Sequence, residues 1–166
     1  MIEVTSNVDV IINQLRNYRD ALKGKMAEII KELCSQGAII CRSEIISLGA
    51  VFTGELANSI VSYYDEATKT GLIVCEADYG IFVEFGTGVI CHENPYIGTA
   101  MADVGYRYGG GTTYVQLKDG RVGWYFPADD GTWKFTEGQP SRPFMYNTAQ
   151  ILKNQVIPIA RSVMSR

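Results

Sequence analysis

Residues 15–49 read LRNYRDALKGKMAEIIKELCSQGAIICRSEIISLG, and the spacing of their apolar side chains decides the fold. Leu15, Tyr18, Leu22, Met26, Ile29, Leu33 and Ile40 recur at intervals of three, four and seven. Ile30, Cys34, Cys41, Ile45 and Leu48 widen the same stripe, while Arg16, Arg19, Lys23, Lys31 and Glu32 fall largely between. That is the period of an amphipathic helix. Ser6, Asn7 or Asp9 supplies its cap and Gly49 its stop. Gly24 and Gly37 are its weak points, each costing about 1 kcal/mol relative to Ala, and mark where a bend would fall. One long N-terminal helix is expected.

C-terminal to the helix, a turn-like stretch over 50–59 leads into a two-residue period. Ile60-Val61-Ser62-Tyr63-Tyr64 and Leu72-Ile73-Val74-Cys75-Glu76 flank a polar segment and read as an antiparallel pair. Residues 79–87 suit either a strand or a short helix. Residues 88–139 differ in character, with both tryptophans and the run Gly109-Gly110-Gly111. Within them Tyr114-Val115-Gln116-Leu117 and Val122-Gly123-Trp124-Tyr125-Phe126 bracket Asp119-Gly120, a hairpin signal. Asp130-Gly131 precedes a third short strand at Thr132-Trp133-Lys134-Phe135. This region is expected to be a β-rich insertion or arm. Pro140 and Pro143 then open a C-terminal helix, which Pro158 should bend or interrupt. The whole is an α+β domain over 1–166: long N-terminal and C-terminal helices on a small, mainly antiparallel sheet, with a β-hairpin insertion.

Length and composition suit that domain. Of 166 residues 46% are hydrophobic and 20% charged, ordinary values for a globular chain with a buried core. The net charge of −3 argues against a dedicated nucleic-acid binder, which concentrates cations against phosphates, but does not exclude a protein that DNA merely passes. No run approaches the roughly 18 apolar residues of a membrane span, and no signal-peptide pattern opens the chain, so synthesis in a cytoplasm is expected. Four cysteines are too sparse for a disulfide framework, and Cys34 and Cys41 stand too far apart on one helix to bridge. All four read as reduced, mostly buried small hydrophobes.

Candidate chemistry is thin. Cys91-His92-Glu93 holds the only histidine beside a single cysteine, without the second ligand pair a zinc site wants. Asp129-Asp130 reads as a turn. Glu84 stands inside an apolar run, where a lone carboxylate is costly, so a salt bridge or a backbone cap is the expected role. A catalytic alternative would join Glu84 with His92 or Asp129 in a small hydrolase or nuclease. Gly86-Thr87-Gly88 lacks the lysine and the βαβ context of a phosphate loop. No cofactor, metal ligand or catalytic residue is expected. Tyr114, Trp124, Tyr125 and Trp133 are the candidate partner contacts, because aromatic side chains are enriched where proteins meet; aromatic cross-strand pairs that simply cover the sheet are the equal alternative. A ligand- or carbohydrate-binding module on the two tryptophans is a third possibility.

Three segments resemble elements of the tail-completion or neck proteins of tailed phages, in that family's order. Thr53-Gly54-Glu55-Leu56-Ala57-Asn58-Ser59-Ile60 resembles its TG-x-L-x-x-S-I element after the long helix. Tyr79-Gly80-Ile81-Phe82-Val83-Glu84-Phe85-Gly86-Thr87 resembles its YA-x-x-VEFGT signature, with Gly80 where Ala is usual. Ser141-Arg142-Pro143-Phe144 resembles the Pro-Phe element before the last helix, here without the second proline. The departure is the long interval between the last two, which marks 88–139 as the insertion. The resemblance implies a structural virion protein, made in the bacterial host and placed at the neck or tail, acting in head–tail joining or tail completion. It implies a homo-oligomeric ring with other neck or tail proteins as partners and DNA passing through without sequence-specific binding. A tail-terminator role is the alternative of the same kind. Leu56 and Ile60 would anchor the turn to the helix, Val83 and Phe85 would pack the sheet, Gly54 and Gly86 would permit tight turns, and Phe144 would pin the last helix.

Overall fold

The computed structural model describes residues 8–50, 54–93, 95–107, 113–128 and 130–166. The expected caps at Ser6 and Asn7 therefore lie outside the described residues, as do Thr53 and Asp129. Helix α1 (Val8–Ser47) runs unbroken through Gly24 and Gly37 for 40 residues. Helix α6 (Phe144–Met164) lies against it. The two are antiparallel: Lys25 on α1 donates to the carbonyls of Val163 and Met164, while Asn147, near the start of α6, donates to Glu44.

A short helix α2 (Glu55–Asn58) turns the chain into β1 (Ile60–Asp65) and β2 (Thr70–Cys75), paired antiparallel from Ile60 opposite Cys75 to Asp65 opposite Thr70. This hairpin packs on α1. Two glycines set how closely. A β-carbon on Gly37 would come 2.2 Å from Ile73 Cδ1 and 2.7 Å from Leu152 Cδ1, and one on Gly71 would come 2.2 Å from Cys34 Sγ. Gly37 is therefore the crossing point of α1, β2 and α6, which is why a poor helix former is kept there. Arg42 ties the layers further, donating to the carbonyls of Ala57 and Ile60 at 3.3 and 2.6 Å. The core beneath is Ala38, Cys41 and Ile45 of α1 with Leu56, Ile60, Val83 and Phe144. All four cysteines are unpaired, and three are buried.

The segment that suited two classes is helical: α3 (Gly80–Phe85) is followed by α4 (Gly88–Glu93) and α5 (Ala100–Asp103). The insertion thus opens with two short helices, where β-structure was expected. Its second half is a separate three-stranded antiparallel sheet of β3 (Val115–Gln116), β4 (Val122–Pro127) and β5 (Trp133–Thr136). The Asp-Gly pairs form both turns, with Gly120 and Gly131 at φ 92° and 76°. The expected antiparallel pair and the insertion hairpin with its third strand thus form two separate small sheets. The short strand β6 (Gly138–Gln139) bridges back to Thr87 and Gly88. Here the two backbones touch: a β-carbon on Gly138 would sit 2.0 Å from the Thr87 carbonyl oxygen.

The interruption foreseen at Pro158 does not occur, since α6 continues through it. Pro158 sits on the exposed face, so the carbonyl it leaves without a helical partner can bond water, while Val163 beyond it stays buried against α1.

Two glycine substitutions separate these roles. Gly138→Ala meets backbone atoms at a φ of 101° and is expected to lose about 2 kcal/mol or more, read by urea unfolding. Gly24→Ala, with nothing within 4 Å, is expected to gain about 0.5–1 kcal/mol of helix stability.

Candidate functional site

The three motif segments meet at the start of α6. Within α3, Val83 and Phe85 turn into the interior, and so does Glu84 between them, at 6% exposure. After Gly86, at φ 78°, the chain crosses directly over residues 139–141. A β-carbon at Gly86 would come 2.6 Å from Ser141 N and 2.8 Å from the Gln139 oxygen. The crossing is sealed by hydrogen bonds to the last carbonyls of α3. Gln139 Nε2 donates to Phe82 O at 3.0 Å, Arg142 N to Val83 O at 2.9 Å and Ser141 Oγ to Glu84 O at 2.7 Å.

This lock delivers the Glu84 carboxylate to the first turn of α6. Met145 N donates to Oε2 at 2.8 Å and Tyr146 N to Oε1 at 3.0 Å. A helix start leaves its first N–H groups without partners and carries a partial positive charge. Here the local sequence offers no remedy: Pro143 at the cap makes no side-chain bond, and the first turn has no acidic residue. Glu84 supplies both from sixty residues upstream.

Burial pushes the Glu84 carboxyl above its ordinary range, and the N–H groups of Met145 and Tyr146 and the Tyr96 hydroxyl pull it back. Tyr96, raised to about 12 by its own burial and by Glu84, keeps its proton and bonds the carboxylate. The Tyr96 ring stands edge-on to Phe85 and Tyr146, at centroid distances of 4.7 and 6.0 Å. Tyr106 lies over Phe85 at 5.0 Å and donates its hydroxyl to the Gly86 carbonyl at 2.6 Å. An open depression of about 550 Å³ borders this cluster, lined largely by apolar side chains including Ile81, Val104 and Ala149. A general base needs a lone pair aimed at a substrate proton. Each oxygen of Glu84 accepts from a backbone donor of the chain itself. The arrangement holds a helix in place.

The other motif residues surround this point. Leu56, Ile60, Val83 and Phe144 share one core cluster. Gly54 takes φ 80° at the entry to α2, and Ser59 closes that helix by donating Oγ to Leu56 O at 2.8 Å. Tyr79 is the residue before α3, Thr87 Oγ1 accepts from Gln139 N at 3.2 Å, and Pro143 precedes α6. Phe85 packs on Tyr96 and Tyr106, not on the sheet as expected, because α3 turns it toward the insertion.

The Cys91-His92-Glu93 trio does not converge. Cys91 is fully buried, with its thiol donating to Gly88 O at 2.9 Å and pushed up by burial, whereas His92 and Glu93 are exposed on α4. Among the described residues no group of three or more His, Cys, Asp or Glu could hold a metal ion. Of the aromatic candidates, Trp124 is half-buried against Gly88 and edge-on to Tyr114, so it fastens the three-stranded sheet to α4. Tyr125 pairs with Phe135 across the sheet, and Trp133 is 68% exposed. Tyr96 and Arg42 were not singled out from sequence. The available signal was indirect: a helix start without a local cap requires one from elsewhere. Comparisons with models of protein families, with curated proteins and with solved structures found no match.

Glu84→Ala strands two backbone N–H groups and is expected to lose about 2–3 kcal/mol of stability in chemical unfolding. The pH dependence has a definite sign. Because the folded-state value is raised, the contribution from this group is complete below the unfolded value of 4.5 and is lost as pH rises through the folded value. Glu84→Gln abolishes that slope, so the stability difference between wild type and variant should move against wild type as pH rises through this window.

Proposed function

We propose that this chain is a structural subunit of a tailed-phage virion, acting in head–tail joining or tail completion as a member of a ring around the DNA passage. The supporting observation is the use made of Glu84. The one acidic side chain in the resembled signature serves as the cap that joins that signature to the Pro-Phe segment, with the TG-x-L segment packed in the same core. Three short motifs that resemble one family are thus three sides of a single structural joint. Selection for such a joint favours a rigid scaffold presenting surfaces to neighbours. A ring needs head-to-tail contacts that close by rotation, and a net charge of −3 suits a lumen through which DNA slides without adhering. A tail-terminator position is the alternative within this class, and the protein's location in the particle separates the two.

Phage particles assembled without this chain should show, by electron microscopy, heads and tails that fail to join or mature. Addition of the purified protein to such an extract should restore joined particles. Normal infectious particles in its absence would refute the reading.

A further inference from the structure

Residues 8–21, the first third of α1, are exposed throughout. The helix is about 60 Å long, whereas α6 covers about 32 Å of it. The last turn of α6 meets α1 at Lys25, so residues 8–24, about 25 Å of helix, stand beyond its end. On this overhang Val8, Ile11, Leu15 and Tyr18 are 49%, 55%, 62% and 65% exposed. With Leu22 they are spaced three, four, three, four, the seam of a helix made to meet another helix.

The seam is also continuous with an interface already in use. On α1 the positions that meet α6 include Lys25, Gly37, Cys41 and Glu44. Stepping back from Lys25 by the same threes and fours reaches Leu22, Tyr18, Leu15 and Ile11. The overhang therefore presents the face that α6 covers lower down.

We propose that the overhang pairs with the overhang of a second copy of this chain, antiparallel and about a two-fold axis between Arg16 and Asn17. That alignment sets Ile11 opposite Leu22 and Leu15 opposite Tyr18. It also brings the Asp9 end of each helix to the Lys23–Lys25 end of the other, whereas a parallel pair sets the four bases of each stretch beside their counterparts. Opposed helix dipoles favour the same arrangement. Because a two-fold contact is self-complementary, it is separate from any contact that closes a ring, and it does not rest on the virion reading.

The full chain should sediment at equilibrium near twice 18.4 kDa across a dilution series. Leu15→Glu sets a charge in the seam and should weaken self-association at least about tenfold, with unfolding of the core unchanged because Leu15 contacts none of it. In a mixture of Ile11→Cys and Leu22→Cys chains, the mixed disulfide should dominate on oxidation. A monomeric wild type, an oligomer that Leu15→Glu leaves intact, or a predominant Ile11→Cys homodisulfide each overturns the proposal. So does a wild type that stays monomeric while binding anionic phospholipid vesicles through the same residues.

Discussion

A carboxylate inside a protein is tolerated only when the chain brings donors to it, and Glu84 turns that requirement into architecture. Its oxygens take the N–H groups of Met145 and Tyr146, its own carbonyl takes the Ser141 hydroxyl, and its neighbours Val83 and Phe85 are core. One residue therefore fixes the end of α3, the path of 139–143 and the first turn of α6 at once. Removing any of these leaves either a charge without donors or donors without an acceptor. Such a joint cannot loosen by degrees, because partial satisfaction is the costliest state.

The joint depends on backbones lying closer than any side chain allows. Gly86, Gly88 and Gly138 provide that approach where 86–88 crosses 138–141. Gly37 and Gly71 do the same where α1 meets the hairpin and α6. The consequence is a division of labour along α1. Its second half is committed to the core by close contact, and its first half leaves that core while keeping the same apolar spacing.

What was legible in the sequence follows from how local each cause is. The 3.6-residue stripe of α1 and the Asp-Gly turns of both insertion hairpins are written in neighbouring residues, and the structure matches them closely. Residues 79–87 suited two classes because Ile81, Phe82, Val83 and Phe85 are as strand-prone as they are apolar. The choice of helix comes from tertiary burial of Val83, Glu84 and Phe85 together, a pattern that strand alternation would not give. The short helices α4 and α5 lack a full apolar period, so no window reveals them. The cap of α6 was half legible: a buried carboxylate needing partners at Glu84, and a helix start needing an acceptor after Pro143. That these two needs answer each other is a property of the folded chain alone.

The same reasoning bears on what the site is for. A catalytic carboxylate must keep an open lone pair and exchange a proton during turnover, which requires slack around it. Each Glu84 oxygen accepts a backbone N–H from the first turn of α6, and the tyrosine beside it is held protonated. The place where the resembled segments converge is closely hydrogen-bonded, while large apolar side chains stand exposed on the overhang of α1 and at Trp133. On the proposed reading of the chain as a structural subunit, a firm centre with exposed apolar side chains at the extremities is the expected arrangement. A stiff joint keeps distant contact surfaces in register, so that association at one is not absorbed by bending at the other.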